Sequence, residues 1–211
     1  MSANRCVGAL MAGGSARRFQ GRPKGLATID GARIADRALS ALAGASDVQI
    51  VVANDPGATI WFPGARIVSD AEPGLGPLAG LRTALRAADG VGVLVVAWDM
   101  PFVTAALLGA LRSIGESGAS AVVPVSDHLG MPDPLCAYYG RAALPPCERL
   151  LAHGERRAIA LFEALPGAVA LRGAELAAFG DPAHLLRSVD TAEELEALGG
   201  WLPLGEEGAR R

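Results

Sequence analysis

The stretch from Val7 to Leu26, VGALMAGGSARRFQGRPKGL, contains the residues best suited to chemistry in this chain. A short apolar run ends at a glycine pair, Gly13 and Gly14, and a basic loop follows. Glycines let the backbone approach a ligand closely and point N–H groups at an anion, while the cations add charge. We interpret this stretch as a polyphosphate cradle at the end of a buried strand. Its four cations are Arg17, Arg18, Arg22 and Lys24.

The spacing of this loop differs from the two best-known phosphate cradles. It is neither GxxxxGK[ST] nor GxGxxG, which argues against a P-loop ATPase and against a dinucleotide-binding dehydrogenase. Lys24 is the only lysine among 19 Lys and Arg residues, and lysine delivers a compact point charge to a single phosphate oxygen. A glycine-rich turn followed by a solvated basic loop is the alternative interpretation of the same residues.

A second candidate group, Asp99, follows the most apolar segment of the chain. Residues 91–98, VGVLVVAW, show no alternation, which predicts a central strand covered on both faces, as in a parallel α/β sheet. Open parallel sheets bind ligands beyond the carboxyl ends of their strands, so we expect Asp99 to meet the glycine loop at one crevice. A carboxylate beside phosphate suits Mg²⁺, which takes hard oxygen ligands. The alternative role for Asp99 is a helix cap or turn before Pro101.

The remaining periodicity predicts alternating strands and helices, the pattern of an α/β protein. Residues 26–29 look extended, 54–64 form a connection, and 134–139 are predicted to form a strand that carries an acceptor-binding segment instead of core. Asp190 would end the last strand, as a second metal ligand or as part of the Thr191–Glu194 capping box that starts the final helix. The other strands are expected at 48–53, 66–68, 119–124, 168–171 and 185–189, and helices at 34–43, 78–88, 105–117, 141–153 and 157–165.

Composition bounds the class of protein. With 211 residues, 51% hydrophobic and 19% charged, the chain can bury a large core, and we expect one domain over 1–200 followed by a tail at 201–211. A net charge of -3 argues against nucleic-acid binding, and no apolar run approaches the roughly 18 residues of a membrane span. The three cysteines and three histidines are isolated, so we assign them no ligand or catalytic role and expect a reduced, cytoplasmic protein.

Five segments of the chain form a recognisable pattern: LMAGGSARRFQGRPKG at 10–25, GPLAGL at 76–81, WDMPF at 98–102, HGERR at 153–157 and DTAEEL at 190–195. Together they resemble the molybdenum cofactor guanylyltransferases. The first segment is shared by many nucleotidyltransferases, and the second, combined with the late G-x-R-R, narrows the resemblance to this family. The resemblance extends over nearly the whole chain and implies a three-layer α/β/α, Rossmann-like (GT-A-like) nucleotidyltransferase fold with a mixed, mostly parallel sheet.

The resemblance also implies an activity, the transfer of GMP from GTP to the terminal phosphate of molybdopterin with release of pyrophosphate. Mg²⁺ or Mn²⁺ would be the cofactor, bound by Asp99. Arg156 and Arg157 would lie toward the acceptor, although paired arginines are equally ordinary as solvated charge. The implied nucleotide-binding residues are Met11, Ala12, Gly13, Gly14, Lys24, Asn54, Asp70 and Asp99, and the acceptor-binding residues are Gly76, Leu78, Gly80, Arg156, Arg157 and Asp190.

This chemistry explains why the chain needs no Ser-His-Asp or Cys-His set. A phosphate monoester is already an anionic nucleophile, so the protein has only to align the reactants and neutralise charge. We predict that Lys24, with Arg17 or Arg18, stabilises the departing pyrophosphate while Asp99 holds the metal.

Two departures from the family pattern leave the substrates open. Pro23 stands where the family usually has an acidic residue, and Asp190 stands where it commonly has asparagine. Both variants look like the related cytidylyl- and sugar-phosphate nucleotidyltransferases. The alternatives are therefore CTP with the same pterin, a sugar-phosphate acceptor, or a non-catalytic nucleotide-binding adaptor. Molybdoenzymes or their maturation chaperones are candidate partners.

Overall fold

The computed structural model describes residues 5–13, 23–126 and 130–202. Its strands are β1 (Cys6–Met11), β2 (Thr28–Ile29), β3 (Ala32–Arg33), β4 (Val48–Val52), β5 (Arg66–Val68), β6 (Gly92–Ala97), β7 (Ala121–Ser126), β8 (Met131–Pro132), β9 (Cys136–Tyr139) and β10 (Val169–Leu171). Its α-helices are α1 (Ile34–Ala43), α2 (Ala58–Trp61), α3 (Pro77–Ala87), α4 (Ala105–Glu116), α5 (Leu144–Ala152), α6 (Ile159–Ala164), α7 (Ala174–Ala177), α8 (Pro182–Leu185) and α9 (Ala192–Ala197).

The central element is β1, which lies between β4 and β6 in an eight-stranded sheet of order β10-β7-β9-β6-β1-β4-β5, with β8 paired to β7. The pairs β1–β4, β1–β6, β4–β5 and β7–β10 are parallel. Strand β9 runs antiparallel to both β6 and β7. The mixed, mostly parallel sheet that the sequence predicts is therefore confirmed.

Two apolar cores form, one on each face of this sheet. Side chains alternate across a strand, so Leu94 and Val96 of β6 enter one core while Val93 and Val95 enter the other. Helices α1 and α4 cover the first core, and α3, α5 and α6 cover the second. This arrangement is the expected three-layer α/β/α fold. No helix in the described ranges is both long and apolar enough to cross a bilayer.

The predicted strand at 134–139 is present, but its expected role is wrong. All four side chains of β9 are buried, because the strand lies between β6 and β7 with both of its faces covered. An antiparallel strand inserted between two others becomes core, whatever its place in the sequence. Only the residue before it in this segment, Leu135, lines the cleft described below.

The predicted strand at 185–189 is also wrong. The chain forms α8 up to Leu185 and continues through the buried Val189 without joining the sheet. The Val189 N–H donates to the Asp99 carbonyl oxygen at 2.9 Å. This backbone hydrogen bond anchors the segment beside the end of β6, so Asp190 reaches the sheet edge from a loop.

Two shorter predictions need correction. Residues 24–26 form a 3₁₀ turn, and β2 then pairs with β3 as a small hairpin, so the extended stretch predicted at 26–29 is shorter than expected. The connection at 54–64 contains α2. Trp201, at the start of the predicted tail, exchanges two backbone hydrogen bonds with Thr28 of that hairpin.

Candidate active site

A cleft of about 590 Å³ opens at the carboxyl ends of β1, β4, β5 and β6. It is bounded by the end of the glycine loop on one side and by the loop before α3 on the other. Ala12 lies buried behind this lining, and its N–H donates to the Val52 carbonyl oxygen at 2.9 Å. The lining residues are Met11, Gly13, Lys24, Val52, Ala53, Asn54, Asp70, Gly74, Gly76, Pro77, Gly80, Ala97, Trp98, Asp99 and Leu135.

Lys24 lies between two carboxylates at one end of this cleft. Its Nζ contacts Asp99 Oδ2 and donates a hydrogen bond to Asp190 Oδ1 at 2.8 Å. Asp99 is only 8% exposed, so this ion pair is largely withdrawn from water. The prediction that Lys24 and Asp99 meet in one crevice is confirmed.

The ring of Trp98 supports the turn that presents Lys24. A Cβ added at Gly25 would lie 2.4 Å from Trp98 Cε3, so the backbone of the turn rests directly on the indole. The backbone N–H of Trp98 donates to the Met11 carbonyl oxygen at 3.2 Å, which ties the end of β6 to the end of β1. Sequence analysis missed Trp98 as a site residue because an aromatic residue ending an apolar run is indistinguishable from ordinary core.

Asp190 is oriented by its own neighbours. Ser188 Oγ donates to Asp190 Oδ2 at 2.7 Å, which leaves Oδ1 facing Lys24. Glu194 Oε2 accepts hydrogen bonds from the Asp190 and Thr191 N–H groups, and Thr191 Oγ1 accepts one from the Glu194 N–H. The predicted capping box is confirmed, and it holds the loop that carries Asp190.

The electrostatics of the site follow from burial and from this cluster of acids. Burial raises the pKa of Asp99, while the Lys24 ammonium works to lower it. Burial works to lower the pKa of Lys24, but the Asp99 and Asp190 carboxylates outweigh it and raise that pKa, so the amine stays protonated. Burial, together with the two other carboxylates, raises the pKa of Asp133 to about 6. A site with this many acidic groups favours the entry of a further cation.

The lining of the cleft also contains the predicted pair Asn54 and Asp70. Asn54 Nδ2 donates to Asp70 Oδ2 at 2.8 Å, and Asn54 Oδ1 accepts from the Asp70 N–H at 2.8 Å. Thr83 Oγ1 on α3 donates to Asp70 Oδ1 at 2.5 Å. Thr83 could not be identified as a site residue from the sequence. Its place one helical turn after Ala79 predicts which face of the helix it lies on, but not that Asp70 is its hydrogen-bond partner.

The predicted acceptor residues separate into two groups. Gly76 and Gly80 line the cleft, whereas Leu78 is fully buried in the core and lies outside the lining. The Arg156 carbonyl oxygen accepts from the Leu78 N–H at 3.1 Å, so the GPLAGL and HGERR segments are in contact. Arg157 is exposed and engaged with Glu155, and its hydrogen bond is the main reason why the pKa of Glu155 falls to about 2.

Three of the predicted residues, Gly14, Arg17 and Arg18, lie outside the described residues. Within the described ranges no cluster of three or more His, Cys, Asp or Glu side chains has the geometry of a metal site. The carboxylates of Asp99 and Asp190 nevertheless converge on one ammonium. Hard oxygen donors of this kind are those that Mg²⁺ and Mn²⁺ accept, so the donor set fits a divalent cation.

A mixed, mostly parallel sheet with a cation and carboxylates at its carboxyl edge places the protein in the class of open α/β proteins that bind a ligand at this edge. Residues 8–171 match the family model described as the MobA-like NTP transferase domain. The chain belongs to the MobA-like NTP transferase family, a family of nucleotidyltransferases.

Relatives of similar length support this assignment. A probable molybdenum cofactor guanylyltransferase from Chloroflexus aggregans is 35% identical over 198 residues, which cover 92% of this chain and 94% of the relative. Another from Opitutus terrae is 37% identical over 161 residues, 74% of this chain and 78% of the relative. The family resemblance inferred from the five sequence segments is confirmed.

Solved structures agree with the fold. Molybdopterin-guanine dinucleotide biosynthesis protein A from Archaeoglobus fulgidus superposes with a TM-score of 0.75 at 26% identity, covering 91% of this chain and 96% of the other. Rv0371c from Mycobacterium tuberculosis, in complex with manganese, superposes with a TM-score of 0.66 at 19% identity, covering 93% and 98%. The second likeness concerns the fold alone.

Proposed function

We propose that this protein transfers GMP from GTP to the terminal phosphate of molybdopterin and releases pyrophosphate, giving the guanine dinucleotide form of the molybdenum cofactor. The observation that carries the proposal is the contact of Lys24 with Asp99 in the same cleft that Asn54 and Asp70 line. The names of the relatives, several of them molybdenum cofactor guanylyltransferases, favour GTP as the donor and molybdopterin as the acceptor.

The reaction requires alignment and charge neutralisation. An oxygen of the acceptor phosphate attacks the α-phosphorus of GTP, and the bond from that phosphorus to the oxygen bridging it to the β-phosphate breaks. Pyrophosphate leaves with the electron pair. The Lys24 ammonium is held where it can neutralise phosphate charge, and the backbone at Gly13 lines the same cleft without a side chain in the way.

A divalent cation would be held by Asp99, with Asp190 beside it. Mg²⁺ or Mn²⁺ bound there would supply Lewis-acid neutralisation of the triphosphate. The buried position of Asp99 is suited to this role, because removal from water strengthens its interaction with any cation in the cleft. Arg17 and Arg18 remain candidates for the pyrophosphate side.

Asp190 favours a second candidate function, in which the protein transfers a different nucleotide or transfers a nucleotide to a sugar phosphate. In this structure its carboxylate faces Lys24, so it adds negative charge where an asparagine would add none. A nucleotide-binding adaptor that catalyses no reaction is the alternative from a different functional class.

The buried free thiols of Cys6, Cys136 and Cys147 support a reducing compartment. We place the reaction in the cytoplasm, where molybdoenzymes or their maturation chaperones could receive the product.

Pyrophosphate release tests the proposal. We expect release with GTP and Mg²⁺ only when molybdopterin is present, and little with CTP, ATP or UTP. Asp99→Asn tests the role of the carboxylate, because it keeps the shape of the side chain but removes its charge. We expect this variant to lower turnover by about 10² or more. Release driven by CTP or by a sugar phosphate would establish the second candidate, and GTP binding without release would establish the adaptor.

A further inference from the structure

Thr83 links helix α3 to the Asp70 carboxylate through a side-chain hydrogen bond. It lies on α3, is only 7% exposed, and its Oγ1 is 2.5 Å from Asp70 Oδ1. Asp70 follows β5 and lines the cleft. Thr83 itself is not part of the cleft lining among the described residues, so its effect on a ligand there is indirect, and Asp70 is the lining residue to which its hydroxyl group is hydrogen-bonded.

The direction of this hydrogen bond is determined by its acceptor. A carboxylate offers only acceptors, so the Thr83 hydroxyl proton must point at Asp70. Asn54 Nδ2 donates to the other carboxylate oxygen, and the Asp70 N–H donates back to Asn54 Oδ1. Asp70 is therefore held at both oxygens in one rotamer, with the remaining lone pairs available to donors that enter the cleft.

We propose that Thr83 is a positioning residue that sets, through Asp70, how tightly and how selectively the cleft binds the hydrogen-bond donors of a nucleoside. The proposal rests on the proposed function and names one residue that determines which nucleotide the enzyme accepts as substrate. An oriented carboxylate suits two sets of nucleoside donors, the adjacent N1–H and N2–H groups of guanine and the hydroxyl groups of ribose. A carboxylate that could rotate would lose the advantage of preorganisation.

The matched variants are Thr83→Val, which keeps the shape and removes the hydroxyl, and Thr83→Ser, which keeps the hydroxyl. We expect Thr83→Val to raise the KM for GTP about tenfold with kcat changed less than about twofold, because a hydrogen bond to a charged group that orients the binding side chain is lost. Thr83→Ser should restore the KM to near its original value. An unchanged KM in Thr83→Val overturns the proposal.

Nucleotide analogues separate the two donor sets. ITP lacks the N2 amino group and dGTP lacks the 2′ hydroxyl. If Asp70 binds the base, the penalty of Thr83→Val should shrink with ITP and persist with dGTP; if it binds the ribose, the reverse should hold. Either result supports Thr83 as a positioning residue. A penalty of equal size for GTP, ITP and dGTP overturns the proposal, because it would reflect a general loss of structure.

A double-mutant cycle with Asp70→Asn tests whether Thr83 acts through Asp70. We expect Thr83→Val to add little to the GTP penalty of Asp70→Asn, whereas full additivity of the two penalties contradicts the proposed route. GTP affinity measured by calorimetry accompanies the kinetics. If the wild-type protein binds GTP but releases no pyrophosphate, the proposed function fails while the dissociation constants of the Thr83 variants still test this inference.

Discussion

Lys24 acts as the counter-cation of two acids in the free protein. Its ammonium contacts Asp99 and Asp190, which are the same groups that we propose to face a divalent cation. A lysine that neutralises both carboxylates must compete with any metal ion for them. The ion pair is therefore expected to give way when a metal-bound triphosphate enters, because phosphate oxygens offer the ammonium a new partner.

Substitution of this lysine tests the competition directly. In Lys24→Met both carboxylates lose their counter-cation, so we expect the nucleotide-free protein to bind Mn²⁺ about tenfold more tightly than wild type while pyrophosphate release falls by about 10² or more. Titration followed by electron paramagnetic resonance measures the free Mn²⁺. Arg66→Met, which removes an exposed cation from β5, serves as the control. Equal or weaker Mn²⁺ binding by Lys24→Met would show that the lysine does not occupy the cation's place.

The turn that carries Lys24 depends on close packing. Since a Cβ at Gly25 would lie 2.4 Å from Trp98 Cε3, Gly25→Ala must displace either the turn or the indole. We expect a loss of about 1–3 kcal/mol in the free energy of unfolding, together with reduced turnover. Gly109→Ala is the matched control, because apart from its own helix backbone nothing lies within 4 Å of the added Cβ, and alanine in α4 should stabilise the protein by about 0.5–1 kcal/mol. Wild-type stability and turnover in Gly25→Ala would refute this packing argument.

The entry to β9 makes stability depend on pH. Asp133 accepts a hydrogen bond from the Leu135 N–H, and burial raises its pKa to about 6 from a usual value of 3.8. The folded protein thus binds this proton more tightly than the unfolded chain does, so the stabilisation is complete below about pH 4 and is lost as pH rises through 6.

Asp133→Asn removes that titration and keeps an oxygen acceptor for the Leu135 N–H. We expect the difference in Tm, variant minus wild type, to rise by roughly 5–10 °C between pH 4 and pH 7 and to stay level above pH 7. Calorimetric scans of both proteins across this range measure the difference. A Tm difference that is independent of pH would contradict the raised pKa.

Ligand binding should stabilise the whole molecule, because the cleft joins the ends of four strands that belong to both cores. At about one hundred times its dissociation constant, GTP with Mg²⁺ should add about 2.7 kcal/mol, or roughly 5–10 °C in Tm for a chain of this length. We expect a much smaller shift with CTP at the same concentration and with GTP in the presence of a chelator. A larger shift with CTP would reassign the nucleotide.

Much of the fold and part of the site could be predicted because the signals are local. Continuous apolar runs predict β1 and β6 as buried strands, and the geometry of parallel sheets predicts that Lys24 and Asp99 lie at one edge. The spacing of Thr191 and Glu194 predicts the capping box. Each of these inferences needs only residues that are close in sequence and the known geometry of one element.

The partners of those residues were decided by the tertiary structure. Lys24 meets Asp190 across 166 positions, and Thr83 meets Asp70 across 13, from a helix to the end of a strand. Periodicity also cannot predict that β9 inserts between β6 and β7, so the strand expected to carry an acceptor-binding segment is core instead. The physical reason is that local pattern specifies which face of an element is apolar, whereas the contacts between elements depend on how the whole chain packs to bury those faces together.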